Sequence, residues 1–212
     1  MTADEHAPID HLLTTTRAVR RRLDLARPVP RSVVLECLRL AIQAPTGGNT
    51  QRWRWLAVDD AETRAALAAL YRKRADPYLG GYRKLSDAPN PVLDSSEYLT
   101  EHLHEVPVFV IPCLLGRLPE SASNEEAAGF YGSILPAVWS FQLALRSRGL
   151  GSVFTTLHLA HEREAGELLG IPETVTQAAL IPVAYTIGAD FKPAARRPIE
   201  EITYWNGWKQ TS

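Results

Sequence analysis

The sequence predicts a layered domain of mixed α and β structure, α+β or α/β, in which helices outnumber strands and interleave with them. Three observations carry this. Apolar residues recur at steps of three and four through several stretches. Compact apolar runs such as WRWLAV and VPVFVIPCLL fall between those stretches. A chain of 212 residues, 45% hydrophobic and 22% charged, can bury a sizeable core without disulfide or metal staples, so one domain spanning 1–212 is expected.

The elements follow in order. Ile9, Leu12 and Leu13 sit at helical spacing in a first helix that runs toward Arg17 and Arg20. Pro28 and Pro30 break the chain, and Ser32 can then cap a helix with apolar positions Leu35, Leu38 and Ile42 that stops at Pro45. WRWLAVDD reads as a strand, and Asp59 or Asp60 can cap the helix AETRAALAALYRKR. From Asp76 to Asp94 the Pro/Gly-rich chain reads as a long loop, of the kind that is usually functional or disordered. A short helix around Glu97 to His104 leads into VPVFVIPCLL, a strand whose two prolines suggest an edge or irregular pairing. A second polar loop, GRLPESASNEEAAG, precedes the helix ILPAVWSFQLALRSRG, with Pro136 in its first turn and Gly149 at its end. GSVFTTL as a strand, a short helix to Gly170 and AALIPVAYTIG as a strand complete the core. Tyr204, Trp205 and Trp208 come after the last core strand, so their apolar area is expected to pack on a partner subunit.

Charge and composition exclude several functions. A formal net charge of −1 gives no field for nucleic acid or an anionic membrane. No apolar run approaches the ~20 residues of a spanning helix, and MTADEHAPID lacks the apolar core of a signal peptide. Cys37 and Cys113 are far apart in apolar settings, which reads as two buried thiols in a reducing, cytoplasmic compartment. His102 and His104, two apart, cannot share a helix face; His158 and His161 could, but have no third ligand nearby, so surface histidines and no metal site are expected.

The chemistry is carried by polar loops and arginines. No nucleophile elbow, phosphate loop or dinucleotide fingerprint occurs. The loop APTGGNTQRW instead places Thr46, Asn49, Thr50 and Gln51 between apolar elements, suited to gripping something polar and flat. Arg17, Arg20 and Arg21 stand at i, i+3 and i+4, which on a helix makes one cationic face, and Arg196 and Arg197 form a second cluster. Two such clusters can converge on a phosphate, although arginines in a last helical turn also serve simply to offset its dipole.

In this order the motifs resemble the nitroreductase-like flavoproteins. TTRAVRRRLD is similar to that family's opening Arg-x-Ser-x-Arg/Lys segment, and APTGGNTQRW to its Ala-Pro-Ser-x-x-Asn-x-Gln-Pro-Trp loop. RSRGLGSVFTTLHL falls in its flavin-edge region, and ARRPIEEI resembles its Arg-x-Pro tail; the Trp-Asn-Gly-Trp ending is closest to an actinobacterial-type subgroup. Thr16, Ala18 and Arg52 depart from the usual Arg, Ser and Pro.

The resemblance implies a three-layer α-β-α fold with a central mixed, mostly antiparallel sheet flanked by helices, and a C-terminal arm at about 192–212 exchanged within a homodimer. It implies FMN, with Arg17, Arg20, Arg21 and Arg196 at the phosphate and Pro45, Thr46, Asn49 and Gln51 at the ring and ribityl chain, often from the other subunit. Thr155, Thr156 and Leu157 would lie along the isoalloxazine, with backbone donors tuning its redox atoms. The implied reaction is ping-pong transfer of hydride from NADH or NADPH to FMN and on to a small-molecule acceptor such as a nitroaromatic or quinone, with no dedicated catalytic side chain. The stretches Asp76–Asp94 and Gly116–Gly129 are the candidate lids, with Gly80-Gly81 a hinge and Tyr78, Tyr82, Phe130 and Tyr131 available to stack on a flat substrate. Two other outcomes stay open: a flavoenzyme acting on oxygen or a specific metabolite, and a flavin-sequestering or sensing protein closed to nicotinamide.

Overall fold

The computed structural model describes residues 3–85 and 88–209. Their contacts group into two compact units, 17–189 and the chain ends 1–16 with 190–212.

The larger unit is built on a five-stranded sheet: β1 (Trp53–Val58), β2 (Val108–Leu115), β3 (Leu150–Ser152), β4 (Val175–Gln177) and β5 (Ile181–Tyr185). The order is β1-β2-β5-β3, with β4 also paired to β2, and these strands all pair antiparallel. Parallel contacts occur as isolated bridges, Ala18 with Ser152 and Gly116 with Val175.

Pro107, just before β2, and Pro112 within it do not make the strand an edge; it is central, and its residues 108–114 are buried. Pro112 is tolerated by its position. β5 covers Val108–Val110 and β4 covers Cys113–Leu115, so Pro112 sits where one neighbour gives way to the other. Its carbonyl still accepts from the Ala178 amide at 2.8 Å, so only the missing donor goes unused there.

Helices cover both faces. On one, α2 (Arg31–Ala41) and α6 (Leu135–Arg146) bury Cys37, Ala41, Val138 and Phe141 against Val108, Val110, Leu114, Ile181 and Val183. The other strand positions of β2, Phe109, Ile111 and Cys113, face the opposite layer of α3 (Ala61–Arg83), α4 (Pro91–His102) and α7 (Glu162–Leu169). α2 presents Val34, Cys37 and Ala41 inward, a stripe rotated from the expected one, so Leu35 and Ile42 are exposed. Pro30 rather than Ser32 precedes its first turn, and no side chain caps it.

Two expected loops are helical in part. α3 runs through Pro77 and Gly80-Gly81 to Arg83 because Leu67, Tyr71, Ala75 and Leu79, each four apart, keep one buried stripe going. The Arg83 guanidinium then bonds Asp94 and Glu97 of α4, closing a helical hairpin where a hinged lid was expected. Ser86 and Asp87 of that stretch lie outside the described residues. In the second polar stretch, α5 (Asn124–Gly132) starts with a capping box in which Ser123 and Glu126 satisfy each other's amides. Asp60 caps α3, Pro136 lies in the first turn of α6, and Gly149 takes φ 75 after it, as expected.

In the smaller unit, α1 spans Ala3–Thr15. The tail carries a short 3-10 turn at Ile199–Glu201 and a Tyr204–Trp208 ring contact at 5.2 Å, while Trp205 and Trp208 are exposed.

Candidate functional site

A cleft of about 600 Å³ opens in the larger unit between α3, α4 and the chain that follows β3. Three segments build it. The first is the stretch after α1, which is not helical. Thr14, Thr15 and Thr16 turn their hydroxyls back onto the carbonyls of Asp10, His11 and Leu12 where α1 stops at Thr15, so the expected single cationic face of Arg17, Arg20 and Arg21 does not form. Residues 17–24 instead lie along the sheet: the Val19 amide donates to Ser152 O at 2.9 Å and the Asp24 amide to Tyr185 O at 2.8 Å. Val19 and Leu23 are buried, and Arg20 between them reaches into the cleft.

α3 supplies the second wall. Tyr71 belongs to its buried stripe, while Tyr78 and Tyr82, one turn apart, are exposed and meet edge to face at 5.1 Å. The third is the turn after β3. Thr155 is locked by both backbone bonds to Leu180 and by its hydroxyl, which donates to Leu180 O at 2.8 Å; Thr156 and Leu157 follow it into the cleft.

Among the described residues, Arg20 is the one charged side chain lining this cleft. It is half-buried, and its guanidinium bonds the Ser95 hydroxyl at 3.3 Å, with no carboxylate in ion-pair reach among the described residues. Burial lowers its pKa from the ordinary arginine value, with the neighbouring Tyr71 acting the other way; the group still stays charged. Burial likewise pushes the Tyr71 phenol up to about 12, against the opposing pull of Arg20 and a hydrogen bond with Thr155. The phenol is therefore a fixed, neutral hydrogen-bonding group. A partly desolvated cation without a counter-charge is costly unless an anion completes it, and here it borders an aromatic slot.

The other predicted residues are distributed differently. Arg21 donates to Asp94 O at 3.2 Å and lies over the Tyr98 ring, and neither it nor Arg17 lines the cleft. Arg196 is in the smaller unit, where it donates to the carbonyl of Ala195. Pro45, Asn49 and Gln51, exposed, and the partly buried Thr46 form a loop beside α5 and are not in the cleft lining. It is tightly self-bonded. The Gln51 amide donates to the Thr46 hydroxyl at 3.2 Å, and the Gln51 side chain to Asn49 at 3.0 Å. Asn49 and Gln51 hold positive φ, 53° and 48°, a strained state that clusters at functional sites. Phe130 and Tyr131, edge to face at 5.3 Å on α5, stand with this loop rather than with Tyr78 and Tyr82. So the candidate residues make two groups on one chain.

Sequence reasoning missed Tyr71, Phe154 and the α4 face of Asn90, Leu93 and Ser96, all of which line the cleft. The four-residue spacing from Leu67 to Leu79 could have extended α3 and placed Tyr71. His158 is not a surface histidine: it is fully buried, and loss of solvation takes its pKa down to about 4, opposed by Gln177 and Glu162. Cys37 and Cys113 are free and buried as expected, and burial raises both thiols, Cys113 to about 12. Among the described residues no metal-ligating cluster occurs, and no helix is long and apolar enough to cross a membrane.

Comparison with known proteins agrees with this architecture. The pattern of the Nitroreductase family matches residues 13–185. An NADH dehydrogenase of Thermus thermophilus is 28% identical over 207 residues, covering 89% of this chain and 91% of that protein. An iodotyrosine deiodinase of Thermotoga neapolitana is 26% identical over 175 residues, covering 82% and 86%. Among solved structures, an oxidised iodotyrosine deiodinase bound to FMN and 3-iodo-L-tyrosine superposes with a TM-score of 0.67 at 24% identity, covering 93% of this chain and 98% of that one. A nitroreductase-like protein from Bacillus cereus gives 0.68 at 20% identity, covering 94% and 96%. With a three-layer fold around an antiparallel sheet and the family pattern over most of its length, this chain belongs to the nitroreductase family.

Proposed function

We infer that the protein is an FMN-dependent oxidoreductase that takes hydride from NADH or NADPH, working as a homodimer. The observation that carries this is Arg20: a half-buried guanidinium without a carboxylate partner among the described residues, at the edge of an aromatic cleft floored by Thr155–Leu157. A phosphate joined to a flat heterocycle satisfies both features at once. When bound, FMN supplies a ring that accepts hydride from the nicotinamide and passes electrons to a nitroaromatic or quinone, donor and acceptor using one place in turn.

The chain's own groups bind and orient. Arg20 holds the phosphate, supported by Ser95; the Thr155 backbone, rigid through its three bonds to Leu180, lines the ring. Tyr78 and Tyr82 cover the open side and exclude water. Because Pro45, Thr46, Asn49 and Gln51 do not line this cleft, a second copy supplies them, with Phe130 and Tyr131 beside them. Exposed Trp205 and Trp208 support an arm, 192–212, that packs on the partner, where Arg196 joins the phosphate and Arg17 and Arg21 contribute to the surrounding positive field. The two buried free thiols fit a reducing, cytoplasmic setting.

The test is an absorption spectrum of the purified protein before and after anaerobic NADH or NADPH, repeated with Arg20→Ala. A yellow protein that bleaches and recovers with a quinone or nitroaromatic supports the reading. Arg20→Ala should weaken FMN binding ~10–100-fold, the loss of a charge-assisted contact. A yellow protein that never bleaches indicates sequestration instead, and failure to take up added FMN refutes the assignment.

A further inference from the structure

The polar loop is self-bonded, but its geometry must also be fixed relative to the rest of the protein. Among the described residues, one hydrogen bond outside the loop does this for residues 46–51: the Gly47 amide donates to the Ser133 hydroxyl at 3.2 Å. Ser133 in turn donates to Gly129 O at 2.8 Å, so its oxygen accepts from the loop while its proton is committed to the last turn of α5. That helix is secured at its other end by the Ser123–Glu126 capping box.

The contact is close as well as polar. A Cβ on Gly47 would lie 3.3 Å from the Ser133 oxygen, so this glycine is set by approach, whereas Gly48, at φ 57, is set by backbone conformation. The loop then holds Asn49 and Gln51 in the left-handed region, a conformation unfavourable for residues with a side chain. A segment under such strain relaxes when its outside tie is removed.

Resting on the flavin reading above, we propose that Ser133 is a positioning residue: it fixes the polar loop on α5 so that Thr46, Asn49 and Gln51 meet the partner's flavin in one geometry. Ser133 does not touch the cofactor in this arrangement. It acts through Gly47, and it ties the loop to the helix bearing Phe130 and Tyr131, so cofactor grip and aromatic lid are carried as one rigid block.

The experiment compares wild type, Ser133→Ala and Ser133→Thr as full-length protein. Amide hydrogen exchange is read across residues 46–51 in the FMN-free protein, and FMN titration and the midpoint potential of bound FMN are read separately. Ser133→Ala should speed exchange across the loop about tenfold, weaken FMN binding about tenfold and shift the midpoint potential, with the melting temperature of the FMN-free protein close to wild type. Ser133→Thr, which keeps the hydroxyl, should restore all three. Unchanged exchange in Ser133→Ala overturns the anchor, and faster exchange with unchanged affinity and potential overturns its role at the flavin. If wild type itself takes up no FMN, the flavin reading falls and the positioning role falls with it, while exchange still reports whether the anchor exists.

Discussion

Gly151→Ala tests how the fold delivers Arg20 to its cleft. Gly151 is buried in β3, paired with Ala184, and the segment carrying Arg20 lies directly against it. A Cβ built there would stand 2.9 Å from both Val19 Cβ and Val19 Cγ1, and 2.8 Å from Thr186 Cγ2. Ordinary carbon contacts are about 3.5–4.0 Å, so each overlap is on the order of 1 Å. The methyls of Thr186 and Val19 can rotate away. Val19 Cβ cannot, because it is fixed to the backbone. Relief therefore requires residues 18–20 to lift from the sheet, stretching the Val19 N–Ser152 O bond and withdrawing Arg20 from Ser95, a contact already at 3.3 Å. The expected cost is about 1–3 kcal/mol of stability, as for overpacking in a dense core. FMN affinity should fall about tenfold or more, since displacement by 1 Å removes a charge-assisted bond. Urea denaturation of the FMN-free protein measures the first effect and FMN titration the second. Lost stability with wild-type FMN affinity would refute the link between the β3 contact and Arg20, and wild-type values for both would refute the packing argument itself.

Gly80→Ala and Gly81→Ala should each stabilise the protein by about 0.5–1 kcal/mol in urea denaturation, because both sites are inside α3 with nothing within 4 Å of the added methyl; a loss of turnover with each would restore the hinge that the helix argues against. His158 should make the protein acid-sensitive. Its folded pKa, about 4, lies below the unfolded 6.5, so the folded state refuses a proton that the unfolded state takes up as pH falls below 6.5. Stability should drop by roughly 2 kcal/mol by pH 5 and about 3 kcal/mol once pH passes below 4, with no contribution above 6.5. Urea titrations between pH 7 and 4.5 should show a steeper decline in wild type than in His158→Leu, and parallel lines would show that His158 is not the group responsible.

Local chemistry in the sequence was enough for much of the frame. WRWLAV, Asp60, Pro136, Gly149 and Gly170 lie where strand, cap, first-turn and helix-stop preferences put them. The misreadings are places where two local signals compete. Pro77 and Gly80-Gly81 are turn residues, yet the stripe from Leu67 to Leu79 continues beneath them, and burial of that stripe outweighs the cost of the breakers. Pro107 and Pro112 suggested an edge or irregular pairing; β2 is not an edge, and its irregularity, the change of neighbour at Pro112, is a property of tertiary pairing that no window of sequence contains. The Ser123-x-x-Glu126 signature was present and legible, and it marks a helix inside a stretch otherwise rich in loop residues.

The arginines show most clearly what spacing alone could not decide. A 3,4 pattern places side chains on one face only if the backbone is helical, and α1 stops at Thr15, before the first of these arginines. The segment instead pairs with the sheet around Val19 and then turns over Arg20–Leu23, where the Leu23 amide donates to Arg20 O, so its neighbouring side chains part company. Val19 goes into the sheet and Arg20 into the cleft, while Arg21 turns to Asp94 and Tyr98. Arg20 is thus selected by Val19, and Val19 by the missing side chain at position 151, far along the chain. Replacing Arg17 or Arg21 leaves this chain of contacts intact; replacing Gly151 breaks it without touching an arginine. The cationic site is therefore specified by a glycine in β3 as much as by the basic residues that make it visible in the sequence.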